Sequence, residues 1–220
     1  METNCLANIR RWPGDSKRWL DKLLHAASSD PRIIAIVPMG SAIRERGHRR
    51  SDFDLLIMHQ GARPKLEPPI EVDIRFVDIE HVDEKIRKGE EVLCWALKFA
   101  AAIYDPQCAW DGIQRIWQLR VPLPSAAEAK KRGKLALQRA DEMIEAGDES
   151  GADDLLLAAL TQFVRYRLIQ KDVFPASRPE LADQLRSTGD SLVLADLLDQ
   201  AMYSDPQPVS IIQKLKRMRF

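Results

Sequence analysis

Asp52 and Asp54 stand one residue apart at the head of the apolar run DFDLLIM. A strand alternates its side chains, so both carboxylates leave on one face while Phe53 and Leu55 leave on the other. Side by side they repel each other, and a divalent cation removes that cost. Hard oxygen ligands on one rigid strand suit Mg²⁺, which takes one or two carboxylates and completes its shell with substrate phosphates. A second stretch, IEVDIRFV, puts Glu71, Asp73 and Arg75 on a common face by the same alternation, with Val72, Ile74 and Phe76 on the other. Upstream, Gly40-Ser41 follows the apolar IIAIVPM and opens a helix or turn, where backbone N–H groups and a hydroxyl can hold phosphate oxygens. The chemistry on offer is a phosphate cradle beside a metal.

These residues need a sheet to hold them. The segment KRWLDKLLHAAS repeats apolar positions at helical spacing through Leu20, Leu23 and Leu24, and SSDPR ends that helix before the β-rich IIAIVP. SAIRERG reads as a short helix or turn ended by Gly47, DFDLLIM as a second strand, and IEVDIRFV as a third strand after the proline-rich GARPKLEPP. One or two helices follow in DIEHVDEKIRKGEEVLCWALKFA, then a short β-like AAIYD and a helix around AWDGIQRIWQL. The prolines of RVPLPS, residues 120–125, suit a linker. Beyond it helices are expected over 126–146, 153–170 (stripe Leu156, Ala159, Leu160, Phe163, Arg167), 178–188, 190–203 and 208–219. The expected fold is α/β, a mixed sheet with flanking helices over residues 1–120, plus an all-α helical-bundle C-terminal domain over 125–220.

At 220 residues and 45% hydrophobic content the chain can bury a real core. Basic and acidic side chains both total 33, split 19 and 18 before residue 121 and 14 and 15 after it. That balance disfavours nucleic acid as a partner, because a nonspecific binder carries a basic excess. Cys5, Cys94 and Cys108 form no C-x-x-C pair, so neither a disulfide framework nor a zinc ribbon is indicated, and Cys94 reads as a small core residue. The opening residues METNCLANIRRWPGDSKRW contain no apolar signal core, and no apolar stretch is long enough to span a bilayer. The expectation is a cytoplasmic protein with no membrane partner.

In this order and spacing the residues resemble the DNA polymerase β-like nucleotidyltransferase superfamily, whose signature is hG[GS], a spacer, DhD and a third carboxylate on a later strand. Here it reads Met39-Gly40-Ser41, ten intervening residues, Asp52-Phe53-Asp54, and Asp73 in VDIR, within residues 15–110. The resemblance implies that Gly40 and Ser41 hold the triphosphate and that Asp52 and Asp54 bind two Mg²⁺ ions, which Mn²⁺ can replace. It implies further that Asp73 completes the site near the attacking hydroxyl. The reaction implied is transfer of a nucleoside monophosphate, AMP from ATP, to a hydroxyl acceptor with release of pyrophosphate. The helical second half looks like the C-terminal domains of aminoglycoside nucleotidyltransferases, with VFPASRPELADQL the most similar stretch. Its Ser177-x-x-Glu180 is also an ordinary capping box.

The basic loop Arg44, Arg46, His48, Arg49 and Arg50 lies between the phosphate turn and the acid pair, where it can meet a polyphosphate; the competing reading is a solvated loop. Arg75 can orient Asp73 by a charge-assisted hydrogen bond or form a structural ion pair with it. The third acid has two candidates: Asp73 in VDIR is assigned to the metal. Glu71 is assigned to the cleft mouth, either deprotonating the acceptor hydroxyl or contacting a cationic acceptor. Gly40 is expected to admit phosphates closely, with little cost to the fold on substitution, or else to supply a positive φ in the turn. The seven carboxylates from Asp141 to Asp154 are either a surface for a polycationic acceptor such as an aminoglycoside or a helix end with a solvated turn. Trp95, Trp110 and Trp117 are assigned to core or domain contacts. The active site is expected in the cleft between the domains. Two other readings compete with a small-molecule acceptor: a protein AMP-transferase of toxin–antitoxin type, and a nucleotide-binding or interaction module without turnover.

Overall fold

The computed structural model describes residues 14–44, 53–204, 207–218 and 220. The chain divides into two compact units, Met1–Pro122 and Leu123–Phe220. Asp52 and the loop residues Arg46, His48, Arg49 and Arg50 lie outside the described residues.

The first unit is mixed α/β. Helix α1 (Gly14–Ala27) buries Leu20, Leu23 and Ala27, and the Tyr104 hydroxyl donates to the Ala27 carbonyl at 2.9 Å, satisfying one of the acceptors a helix end leaves open. Strand β1 (Ile33–Met39) is buried along its whole length, as an unbroken apolar run requires, and β2 (Phe53–His59) is buried from Leu55 onward. β1 pairs antiparallel with β2, which pairs parallel with β3 (Val72–Asp78), giving the order β1-β2-β3. A parallel return needs a crossover, and residues 60–71 supply it as a loop. That loop is pinned where the Arg63 guanidinium lies over the Phe76 ring at 3.9 Å.

Alternation divides the sheet. Leu55, Ile57 and Val72 join Leu20, Leu23, Ala27 and Ile36 in one core beneath α1. The opposite face carries Asp54, Leu56 and Met58 on β2 and Asp73, Arg75 and Val77 on β3. Downstream come α2 (Val82–Arg87), α3 (Glu91–Phe99) and α4 (Ala109–Trp117), of which α3 and α4 contact β1. The Glu90 carboxylate caps α3 by accepting from Leu93 N–H at 2.8 Å. Trp110 is fully buried, Trp95 nearly so, and the Trp117 indole donates to Asp83 at 2.8 Å.

Two local expectations are corrected here. AAIYD forms no strand: one isolated bridge joins Tyr104 to Ile36, and the turn at Pro106 and Gln107 ends the run before a ladder can extend. β3 starts at Val72 rather than Ile70, so the alternation argument does not reach Glu71, which sits in the turn before the strand with its side chain exposed.

Every regular element described in the second unit is helical. Helices α5 (Ala126–Glu145) and α6 (Glu149–Gln170) form a hairpin, with α7 (Leu181–Ser187), α8 (Leu192–Tyr203) and α9 (Pro208–Arg217) after it. Their core gathers Leu156, Leu160, Phe163, Leu168, Leu185, Leu198 and Ile211. Ser125 caps α5 through Glu128 N–H at 3.2 Å. α6 begins ahead of residue 153 because Asp148, at the hairpin bend, accepts from Gly151 N–H at 2.9 Å. The acidic run 141–154 is thus a helix end, a cap and a helix start, and Asp141 pairs with Lys216 at 2.6 Å. The capping box at Ser177 does not form: its hydroxyl donates to the Glu180 carboxylate instead of accepting from a backbone N–H. Among the described residues no helix is long and apolar enough to cross a membrane.

Candidate active site

β1 ends at Met39, which is paired in register with Asp54, and Asp54 is in turn the register partner of Asp73. Register partners on neighbouring strands point the same way about 4.8 Å apart, so the sheet brings the two carboxylates together on the face opposite α1. Gly40 follows Met39 with φ 77° and ψ −169°, a backbone region open essentially to glycine alone. A Cβ built there would stand 2.3 Å from Oδ2 of Asp54 and 3.3 Å from its Cγ. Gly40 therefore serves the conformation of the turn and leaves room for the Asp54 carboxylate. The expectation that it could be replaced at little cost to the fold is corrected by both facts.

The chain then tightens into one 3-10 turn, Ser41–Ile43, anchored by the fully buried Ile43 and closed by Arg44 N–H donating to the Ser41 carbonyl at 3.1 Å. Ser41 thus sits one residue past the Gly40 that packs on Asp54. The Arg44 guanidinium lies over the Phe99 ring, 4.6 Å from its centroid.

Arg75 donates to Asp73 at 2.7 Å, the contact their shared face allows. The side chains are 59% and 44% exposed, so the pair is screened by water and adds little to stability; what it fixes is the direction of the carboxylate. Glu71 contributes its backbone, its carbonyl accepting from Phe53 N–H at 2.8 Å. Asp54, Asp73, Gly40, Ser41 and Arg44 all fall at the end of the sheet where β1 finishes and β2 and β3 begin.

Among the described residues no three His, Cys, Asp or Glu side chains come together as a metal site. Two carboxylates in register still fit magnesium, which needs only one or two from the protein when phosphates complete its shell.

Phe99 was not legible as a site residue. It ends the apolar run EVLCWALKF, where it reads as core, and nothing in residue spacing ties position 99 to position 44.

No protein-family model and no curated protein matches the chain. Among solved structures, a nucleotidyltransferase-like protein from Exiguobacterium sibiricum 255-15 is similar at 13% identity with a TM-score of 0.45, over 89% of this chain and 70% of that one. A likeness of that size carries no functional argument.

Proposed function

We propose that the chain is a metal-dependent nucleotidyltransferase that moves a nucleoside monophosphate, AMP from ATP, onto a hydroxyl of a small-molecule acceptor. One observation carries this reading: Gly40, with no room for a side chain, meets the Asp54 carboxylate just where Asp73 lies alongside in register. Paired acids form a cation site, and the backbone N–H groups of the turn beside them are donors for phosphate oxygens. The order of these groups along the sequence adds the family resemblance.

Asp54 and Asp73, with Asp52, would hold the two magnesium ions, Mn²⁺ serving in their place. Bound there, the metal supplies positive charge to the triphosphate and lowers the pKa of the acceptor hydroxyl. Gly40 and Ser41 offer backbone N–H groups to the phosphates, and Arg44 adds a guanidinium. Arg75 keeps the Asp73 carboxylate aimed. Glu71, exposed just before β3, takes the proton of the acceptor hydroxyl or meets a cationic acceptor. The acceptor oxygen bonds to the α-phosphorus as the bond to the bridging oxygen breaks, and pyrophosphate leaves.

The test is incubation of the full chain with α-labelled ATP, Mg²⁺ and a panel of hydroxyl-bearing acceptors, aminoglycosides and a tyrosine-bearing protein included, with pyrophosphate measured. Acceptor-dependent release that disappears in Asp54→Asn is the expected result. Turnover unchanged in that variant sinks the metal-dependent mechanism, and label on protein alone moves the acceptor to the protein class.

A further inference from the structure

We propose that Phe99 aims Arg44 at the polyphosphate; this positioning role rests on the nucleotidyl-transfer reading above. Arg44 closes the 3-10 turn through its own N–H to the Ser41 carbonyl, so its backbone is fixed relative to the Gly40-Ser41 turn. Its side chain is another matter, because an arginine has many rotamers and loses that freedom whenever it grips a ligand. The Phe99 ring removes much of that freedom beforehand. The guanidinium carbon lies 4.6 Å from the ring centroid, well inside the range where a cation is held over an aromatic face. A guanidinium carries its N–H groups in its own plane, the geometry that takes two phosphate oxygens at once.

The ring is itself held. Trp95, one helical turn earlier and nearly buried, packs against it with centroids 5.2 Å apart and planes tilted by 49°. The last turn of α3 is tied to α4 by the Gln114 amide, which donates to the Leu97 carbonyl at 3.2 Å and the Ala100 carbonyl at 2.8 Å. The line of support runs from Gln114 through the end of α3 to Phe99, and from Phe99 to the arginine beside the phosphate turn.

The experiment measures binding of inorganic tripolyphosphate with Mg²⁺ to the full chain by calorimetry, in wild type, Phe99→Leu, Phe99→Trp, Arg44→Gln and the Phe99→Leu/Arg44→Gln double variant. Phe99→Leu should weaken binding about three- to fivefold, and Phe99→Trp, whose ring holds cations at least as well, should keep wild-type affinity. In the Arg44→Gln background the leucine should cost nothing further. In turnover, KM for ATP should rise in Phe99→Leu with kcat nearly unchanged. An equal loss in both backgrounds, or full affinity in Phe99→Leu while wild type binds, overturns the positioning role alone. A wild-type chain that binds no tripolyphosphate overturns the nucleotide reading and this role with it.

Discussion

Gly40 and Asp54 occupy each other's space: a Cβ on the glycine would fall 2.3 Å from Oδ2 of the aspartate. Asp54 reaches that position because Met39, the residue before Gly40, is its register partner across the β1–β2 ladder. The Gly40 turn and Asp54 are therefore one structural unit, although thirteen residues separate them in the chain. A site built this way cannot change its turn without moving its carboxylate.

That coupling gives the first prediction. Gly40→Ala pays twice, for φ 77° in a non-glycine residue and for the contact with Asp54, and should destabilise the chain by about 2–4 kcal/mol. Asp54→Ala removes the carboxylate and with it the clash, leaving only the Cβ of residue 54, which is 3.6 Å from the built atom. The double variant should then be more stable than the sum of the single changes allows, by about 1–2 kcal/mol. Urea unfolding of the four proteins measures this. Strict additivity would show that the aspartate yields freely and that the glycine is kept for φ alone.

The second prediction separates the two candidate third acids. Asp73 is the register partner of Asp54 and is held by Arg75 at 2.7 Å, whereas Glu71 precedes the strand and is exposed. Asp73→Asn should abolish transfer and weaken Mn²⁺ binding more than tenfold, about the loss of one charged ligand. Glu71→Gln should slow single-turnover transfer with Mn²⁺ affinity retained. Loss of metal binding in Glu71→Gln but not in Asp73→Asn reverses the assignment.

What the sequence made legible follows from how local each cause is. Strands β1 and β2 were readable because their apolar runs are bounded by turn residues, and the helical second unit because its stripe repeats at 3.6 residues. The shared face of Asp73 and Arg75 was readable from alternation within one strand. The register that sets Asp73 beside Asp54 was not, since a parallel crossover through residues 60–71 fixes it. Where β3 begins depends on where pairing begins, so Glu71 was credited with a strand position it does not hold. The start of α6 was missed because Asp148, in a run that reads as solvated, is a cap. The Arg44–Phe99 contact joins distant segments and leaves no local trace at all.

A third prediction tests packing in the helical unit. Gly133 lies inside α5, where alanine would normally stabilise the helix by about 1 kcal/mol. A Cβ there would meet the Phe163 ring at 2.8 and 2.9 Å, and that ring is fully buried and stacked on Phe220 with centroids 3.9 Å apart. Overpacking should win, so Gly133→Ala should lose about 1–3 kcal/mol. Adding Phe163→Leu to Gly133→Ala should cost less than the same change in wild type. A rise in Tm for Gly133→Ala alone would mean that the two helices move apart cheaply.

The last prediction concerns pH. Cys94 is fully buried in α3, and burial, with the nearby Glu90 charge, pushes its thiol up from the ordinary 9.0 to about 11. The folded state therefore keeps the proton in a range where the unfolded chain has released it. The sign follows: below pH 9 the residue adds no pH dependence, and between 9 and about 11 ionisation in the unfolded chain draws the equilibrium away from the fold. Stability should fall across that window in wild type. In Cys94→Ala, which lacks the titrating group, the fall should be shallower, so the stability difference between the two proteins should shift toward the variant as pH rises. The same raised pKa leaves almost no thiolate at pH 8, so Cys94 should resist a thiol reagent in the native chain, while the exposed Cys108 reacts at once. A Cys5→Ser variant removes the remaining thiol from the count, leaving one fast-labelling cysteine and one that labels only on unfolding. Fast labelling of both, or parallel pH profiles for wild type and Cys94→Ala above pH 9, would show that water reaches the Cys94 sulfur in α3.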